Sequence, residues 1–265
     1  MTPGWQIAIC HQTVELLTQT VINVSQNLHT QQRNPQLDRT PFIMRHTIRL
    51  LAFAASIGIA APAAASDTQY WQTLNLSVAL PDNFKISNET VFRTSDAKGF
   101  YEVENNLMVG KKVNKVVTLW LGYTFDPQYS HGNFTRREHR FRQQVSFDNF
   151  AAIGKVKFSG RLRLEERWRE GQAGTGWRLR PQVKATMPLA GKVTLSLTNE
   201  DFIDLNNSSF QTVDGLERMR NAIYVTVPVS RKVNIDFGYL NQHGFVPNAH
   251  DTSDNVLTAG LSASF

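Results

Sequence analysis

Apolar and polar side chains alternate along most of the chain between residue 67 and its end. In the segment 155–169, Val156, Leu162 and Leu164 occupy even positions, whereas most odd positions carry Lys, Arg or Glu. Side chains of a β-strand point alternately to opposite faces, so this segment has one apolar face and one charged face. The pattern predicts strands almost throughout, with no amphipathic helix of useful length between them.

Eleven segments show this alternation. They are 71–80, 84–94, 100–110, 116–126, 137–147, 155–169, 177–187, 193–200, 216–227, 233–242 and 257–265. Two kinds of connection join them in turn. Short ones occupy 81–83, 111–114, 149–154, 189–191 and 228–231, and longer polar ones occupy 95–99, 127–134, 170–176, 203–215 and 243–254. Short turns at one end and longer loops at the other predict an all-β fold, a single up-and-down antiparallel barrel.

The length and the ends of the segments favour a transmembrane barrel over a soluble one. The segments are about 10–13 residues long, which is enough to cross a bilayer at a tilt. Aromatic residues such as Trp168, Trp177 and Tyr123 collect at segment ends, as in the aromatic girdles of outer-membrane barrels. A soluble, lipocalin-like binding barrel in the periplasm, with its apolar face turned inward, is an alternative.

The last segment contains Leu261 and ends on Phe265. It resembles the C-terminal targeting strand of bacterial outer-membrane proteins, which ends on an aromatic residue and is read by the assembly machinery. We therefore expect Leu261 and Phe265 to act as an assembly signal. The eleven segments indicate a barrel of ten to twelve strands. Bacterial single-chain barrels have even strand numbers, so we expect either ten or twelve strands. With ten strands, the segment 71–80 would lie in the lumen or along the rim. With twelve strands, one of the eleven segments would contain a second strand.

The segment 44–66 has the three parts of a secretory signal peptide: a basic start, an apolar stretch at 50–61, and small residues after it. We expect cleavage near Ala65 or Ser66 and export to the outer membrane of a Gram-negative bacterium. Residues 1–43 are rich in Gln and Thr, and we expect them to be an upstream extension that is either not native or disordered.

Composition excludes several other classes of protein. The single Cys, Cys10, lies outside the barrel segment 67–265, so neither a disulfide framework nor a thiolate zinc site is expected. No apolar run reaches about 18 residues, the length of a transmembrane helix. A hydrophobic fraction of 41% is too high for a disordered chain. Without the four Arg and two acidic residues of 1–66, the net charge of +6 falls to +4, and no basic run is typical of nucleic-acid binding.

Short motifs in a fixed order resemble the uncharacterised outer-membrane barrel family known as domain of unknown function 2490 (DUF2490). They are Trp71, 76–93, the Arg-rich 161–167, 177–180, 199–202, 218–223 and 233–240. Together they span nearly all of 67–265, and their order and spacing carry the match. The resemblance implies a barrel in contact with outer-membrane lipid. It brings no reaction, ligand or catalytic residue.

If the apolar face contacts lipid, the charged face lines the lumen. The expected lumen-lining residues are Arg140, Arg142, Arg161, Arg163, Glu165, Arg167, Arg178, Arg180, Lys184, Glu102, Glu104, Glu200 and Asp236. Rings of Arg and Lys select anions, so one interpretation is a narrow, porin-like pore with a small anionic solute as partner. The other is a structural barrel in which facing Arg and Glu side chains pair and fill a narrow lumen.

An outer-membrane enzyme that acts on lipid is the alternative from another class. Such an enzyme would use a Ser and a His on the outer wall, and His139 is the candidate because it shares the parity of Phe141 and Val145. No partner Ser is evident on the neighbouring segment, and no Gly-x-Ser-x-Gly or His-Glu-x-x-His motif occurs. We therefore expect no enzymatic activity, no cofactor and no metal site.

Overall fold

The computed structural model describes residues 67–265, which form a closed barrel of eleven β-strands. The signal peptide and the upstream extension expected within residues 1–66 lie outside the described residues. The predicted all-β, up-and-down barrel is confirmed, and each of the eleven alternating segments corresponds to a strand of its own. Within residues 67–265, no helix is long and apolar enough to cross a membrane.

Each strand pairs with its neighbours in chain order. The strands are β1 (Asp67–Ala79), β2 (Phe84–Ser95), β3 (Gly99–Lys112), β4 (Val117–Ser130), β5 (Asn133–Ile153), β6 (Val156–Arg169), β7 (Gly176–Ala190), β8 (Val193–Asp204), β9 (Gly215–Pro228), β10 (Val233–Gly244) and β11 (Thr252–Ser264). A single 3₁₀ turn, Pro81–Asn83, joins β1 to β2.

The two ends of the barrel differ in their connections. At the turn end, short connections follow β1, β3, β5, β7 and β9; at the loop end, the longest connections are 205–214 and 245–251. The loop predicted at 127–134 is wrong, because β4 and β5 extend through it and meet across His131 and Gly132. These two residues have φ values of 51° and 80°. Positive φ at both central positions gives a two-residue turn whose twist matches that of the paired strands.

The first and last strands close the barrel as a parallel pair. Asp67 lies opposite Asp254, and Ser77 lies opposite Ser264, so β1 and β11 both begin at the loop end. Eleven strands fall within the expected range, but the expected even number is wrong, since β1 is a wall strand paired with β2 and β11. When strands alternate in direction and their number is odd, the first and the last run the same way. Only a parallel pair can then complete the ring.

Strand alternation places large apolar side chains outside and charged ones inside. Leu107 is 50% exposed and Phe237 is 56% exposed on the outer wall, whereas Arg142, Glu138 and Glu165 have no exposed surface. This is the reverse of the usual distribution in a soluble domain, where ionised side chains are almost never fully buried.

One side of the lumen is apolar. Trp71, Val91, Ala222, Leu240 and Val256 form a buried cluster contributed by β1, β2, β9, β10 and β11. The charged side chains come mainly from β3 to β8. The lumen therefore has an apolar side and a charged side, and both are packed with side chains.

Two aromatic rings lie over glycines on adjacent strands. A Cβ atom on Gly238 would lie 2.3 Å from Cδ1 of Tyr224 and 2.8 Å from the carbonyl oxygen of Ile223. A Cβ atom on Gly110 would lie 2.6 Å from the ring of Trp120. Glycine is required at both positions because only its missing side chain leaves room for the ring.

Candidate functional site

Fourteen of the charged residues inside the barrel form one continuous ion-pair network, nearer the loop end than the turn end. Its members are Arg93, Glu102, Glu104, Asp126, Glu138, Arg140, Arg142, Arg161, Glu165, Arg167, Arg169, Arg178, Arg180 and Glu200. All of them are buried except Arg161 and Arg169, which are half-buried. The network links seven consecutive strands, β2 to β8.

Glu165 on β6 is paired with three arginines. Its carboxylate lies 2.9 Å from Nε of Arg142, 2.8 Å from Nη2 of Arg178 and 2.7 Å from Nη1 of Arg180. The strand register explains two of these pairs, because Glu165 lies directly opposite Arg142 on β5 and Arg178 on β7. Three cations around one buried carboxylate hold it ionised and fixed in position.

Glu138 on β5 has a similar environment. Its carboxylate accepts from Nε of Arg140 at 2.6 Å, from Nε of Arg167 at 2.9 Å and from Nη2 of Arg169 at 2.7 Å. Arg140 also pairs with Asp126 of β4, which has no exposed surface. These contacts join the loop-end parts of β4, β5 and β6.

Glu104 connects strands that are not neighbours. It lies 3.0 Å from Nη2 of Arg93, 3.2 Å from Nη1 of Arg140 and 2.8 Å from Nη2 of Arg142. Because Arg140 and Arg142 belong to β5 and Glu104 to β3, these ion pairs pass in front of β4. Glu200 on β8 does the same with Arg161 of β6, at 2.7 Å. The side chains therefore reach across the lumen instead of standing only beside their strand neighbours.

The predicted lumen-lining residues all occupy the inward face of their strands. Ten of the thirteen belong to the network, and three lie outside it. Arg163 is buried, and its Nε donates to Gln144 at 2.8 Å. Asp236 accepts a hydrogen bond from Thr226 at 2.5 Å, and Lys184 is exposed toward the turn end.

The predicted assembly residues lie at the end of β11. The side chain of Leu261 is 42% exposed and that of Phe265 is 60% exposed. The backbone N–H of Phe265 donates to the carbonyl of Ser77, and its carbonyl accepts from Ala79, both on β1. The end of the chain is thus hydrogen-bonded to β1, in the parallel β1–β11 pair that closes the barrel.

Sequence reasoning missed several inward-facing residues of the loop-end half. Arg93, Asp126, Arg218 and Arg220 come from β2, β4 and β9, where the charges are sparse and the alternation is less regular than on β6 and β7. Parity was the available signal, since Arg93 follows the inward Val91 by two residues.

A cavity of about 920 Å³ lies between the network and the loop end. Ten cationic and five acidic side chains line it, so its wall carries an excess of positive charge. Trp71, Tyr101 and Phe202 add aromatic side chains to the lining, and eight of the lining residues, among them Glu102 and Arg180, also belong to the network. The arrangement provides a cationic chamber with an aromatic wall, which we call the loop-end cavity.

The loop 245–251 covers part of this cavity through Phe245 and Val246. The backbone N–H of Val246 donates to Asp251 at 3.1 Å, and Nε2 of His243 lies 3.2 Å from the same carboxylate. These contacts, that of Val246 foremost, hold the pKa of Asp251 below its ordinary value. Asp251 therefore stays ionised and anchors the loop to β10.

Arg220 is the most distinctive side chain of the loop-end cavity. It is 9% exposed, and its Nε donates to Gln242 at 2.8 Å. Its guanidinium lies 4.7 Å from the ring centre of Trp71 and 4.5 Å from that of Phe202. No carboxylate within residues 67–265 lies within ion-pair distance of it.

A row of asparagines crosses the outer wall on four adjacent strands. Asn199 lies opposite Asn221, Asn221 opposite Asn241, and Asn241 opposite Asn255. Hydrogen bonds join Asn199 to Asn221 at 3.1 Å and Asn241 to Asn255 at 3.3 Å. Toward the turn end from this asparagine row, the outward residues of these strands are apolar, beginning with Ile223. The row thus marks the loop-end limit of the apolar wall there.

His139 lies on the outer wall, where its parity predicts it. Its Nδ1 is hydrogen-bonded to the hydroxyl of Tyr123, and its ring centre lies 5.6 Å from that of Phe125. These are aromatic partners and not the Ser that the lipid-hydrolase alternative requires. Among residues 67–265, no three His, Cys, Asp or Glu side chains converge in a way that could hold a metal ion.

The chain is similar to proteins that are described as uncharacterised or of unknown function. An uncharacterised protein of Methylorubrum extorquens is 28% identical over 228 residues, which cover 83% of this chain and 98% of the relative. No solved structure matches the chain. The family model described as "Protein of unknown function (DUF2490)" matches residues 68–253. The chain therefore belongs to the DUF2490 family.

Proposed function

We propose that the protein is an outer-membrane barrel whose lumen is closed by the ion-pair network, with a structural or binding role and no open pore. The observation that carries the proposal is the reversed polarity of the barrel. Phe237 is 56% exposed and Leu257 is 53% exposed on the outer wall, whereas Arg142 and Glu165 inside have no exposed surface. An apolar exterior around a polar interior is the arrangement of membrane barrels.

The packing of the lumen supports the closed state. Arg142, Glu138 and Glu165 are fully buried on the charged side, and Val256 is fully buried on the apolar side. The strand register connects the two sides, because Glu104 of the network lies opposite Val91 of the apolar cluster. Side chains that faced an open, water-filled channel would retain exposed surface at this level.

The asparagine row supports a specific depth in the membrane. Outward amides cannot be satisfied by hydrocarbon, so they belong at the level of the lipid headgroups. With the turn end in the periplasm, as in outer-membrane barrels, Asn221 and Asn241 would lie at the outer-leaflet boundary. The segment 44–66 would direct export, and Leu261 and Phe265 would be read by the assembly machinery.

We propose a non-enzymatic role, because His139 contacts Tyr123 and Phe125 on the outer wall. A narrow anion-selective pore is the second candidate, and the cationic excess of the loop-end cavity favours it. A lipid-active enzyme predicts phospholipid hydrolysis that is lost in His139→Ala, so a wild-type protein without hydrolysis removes that possibility.

Fractionation and conductance measurements test the proposal. The full chain expressed in a Gram-negative host should be found in the outer-membrane fraction and show heat-modifiable mobility in detergent gels. The purified barrel in a planar bilayer should give no stable conductance steps. Anion-selective steps that are reduced by charge reversal at Arg180 would establish the pore instead, and solubility without detergent would overturn the membrane location.

A further inference from the structure

We infer that the loop-end cavity is a binding site for a small soluble organic anion, whose carboxylate or phosphate group pairs with Arg220. This inference goes beyond the proposed function, because it requires neither a closed lumen nor a particular membrane. It begins from the balance of buried charges. Eight arginines are buried within residues 67–265, and six of them pair with carboxylates. The two without such a pair in this part of the chain are Arg163 and Arg220.

A buried guanidinium without an ion-pair partner is unfavourable, since it has lost its hydration and has no opposite charge in contact with it. Glu200 lies opposite Arg220 in the strand register, but its carboxylate pairs with Arg161 and Arg180 instead. Arg220 has partly replaced water by Gln242 and by the faces of two aromatic rings. These contacts occupy Nε and place two aromatic rings against the guanidinium. The two Nη groups have no hydrogen-bond partner within residues 67–265, and the side chain lines the cavity. An anion in the cavity can supply the missing partner.

Arg220 is held in place before any ligand arrives. Trp71 and Phe202 lie on it at 4.7 Å and 4.5 Å, and Phe202 itself is only 2% exposed. A guanidinium fixed by stacking presents its planar donors at a constant angle, which matches the two oxygens of a carboxylate or phosphate. Little side-chain entropy is lost when the anion binds.

The surroundings define the rest of the ligand. Arg180 and Arg218 also lie against Phe202, at 4.2 Å and 5.6 Å, so the positive charge around Arg220 is dense. The aromatic side chains of Trp71 and Tyr101 also line the cavity. A volume of about 920 Å³ is within the range of cavities that bury small organic molecules. The site therefore fits an anion with a ring or apolar part, and the cavity is lined by the loops 245–251 and 205–214, so the ligand enters from the loop end.

Isothermal titration of the protein, expressed as the full chain and purified in detergent, tests this inference, with benzoate and phenyl phosphate as probes. Benzamide, which has the same ring and no charge, is the ligand control. Arg220→Gln should weaken binding of both anions at least tenfold. Arg163→Gln is the matched protein control, because Arg163 is also buried and unpaired but does not line the cavity. It should leave the dissociation constant within about twofold.

Heat-modifiable mobility of each variant would verify that the barrel is folded before the titration is interpreted. Three outcomes would overturn the inference: no binding of either anion to the wild-type barrel, equal binding of benzamide and benzoate, or equal weakening by Arg220→Gln and Arg163→Gln. Binding of dihexanoyl phosphatidic acid without binding of the two soluble anions would also overturn it, since the ligand would then be a lipid headgroup. The conductance result bears only on the closed lumen, so the two proposals can fail separately.

Discussion

Glu165 of β6 and Arg142 of β5 lie opposite each other across the strand pair, and neither side chain has any exposed surface. Replacement of Glu165 by Gln removes the shared partner of Arg142, Arg178 and Arg180. Arg142 and Arg180 keep Glu104 and Glu200 as partners, but Arg178 has no other carboxylate within ion-pair distance among residues 67–265. We expect a loss of about 3–5 kcal/mol in the free energy of unfolding, the usual cost of leaving a buried charge without a partner. Urea unfolding in detergent, followed by tryptophan fluorescence, measures the change.

Glu170→Gln is the control for this measurement. Glu170 lies 3.8 Å from Arg137, and the two side chains are 53% and 48% exposed. Exposed pairs contribute little to stability, so the unfolding midpoint should stay close to that of the wild-type protein. If the two substitutions lowered the free energy of unfolding equally, the burial of the network would not determine how much it contributes to stability.

The closed lumen predicts that conductance can be created by removing the network. The double substitution Arg142→Ala and Glu165→Ala removes two large side chains from the lumen and leaves Arg178 as a cation without its carboxylate partner. We expect stable conductance steps in a planar bilayer that the wild-type barrel does not give. Lys157 is an exposed inward residue near the turn end. The control substitution Lys157→Ala should therefore give no conductance steps, like the wild-type barrel. An already conducting wild-type barrel would contradict the closed state.

The proposed depth in the membrane predicts that an Arg introduced on the outer wall destabilises the barrel more in the apolar part of a strand than at the asparagine row. Phe237→Arg places a charge in the apolar wall and should destabilise the barrel by about 2–4 kcal/mol in lipid vesicles. Asn241→Arg lies four residues closer to the loop end, in the asparagine row, and should cost about 0–1 kcal/mol. Denaturant titrations in vesicles give both values. Equal values would remove the argument for a membrane boundary at the asparagine row.

The close approach of Tyr224 to Gly238 predicts a strong effect of one added methyl group. Gly238→Ala places that group against the ring of Tyr224 and also against a carbonyl oxygen, which cannot move aside easily. We expect a loss of about 1–3 kcal/mol, typical of overpacking. Gly260→Ala on β11 is the control, since its nearest contact would be an ordinary 3.5 Å. Similar unfolding midpoints for the two variants would show that the ring moves freely.

The local features of the barrel could be predicted from the sequence, because alternation is a property of each strand alone. The charged parity of β6 places Arg161, Arg163 and Glu165 inside, where the structure has them. The ion pairs that pass in front of a strand could not be predicted. Glu104 meets Arg142 because the barrel curves β3 and β5 toward a common interior, and no spacing in the sequence reports that curvature.

The contact of Arg220 with Trp71 had no sequence signal for the same reason. Phe202 is on β8, which pairs directly with β9, but Trp71 is on β1, and only the closing of the ring brings Trp71 to Arg220. The strand number was mistaken because the even-number rule describes barrels that close with an antiparallel pair. Here the alternation itself gives eleven strands, and an odd number is possible because β1 and β11 close the barrel as a parallel pair.

The parallel seam separates the two ends of the barrel segment in space. Asp67 accepts a hydrogen bond from Ala97 in the connection between β2 and β3, so β1 starts at the loop end, whereas β11 finishes at the turn end. The strands from β2 to β11 form five hairpins, and β1 is left as a single strand outside them. If the turn end is periplasmic, a peptide tag placed just before Asp67 would be displayed on the cell surface. A tag placed after Phe265 would stay on the periplasmic side.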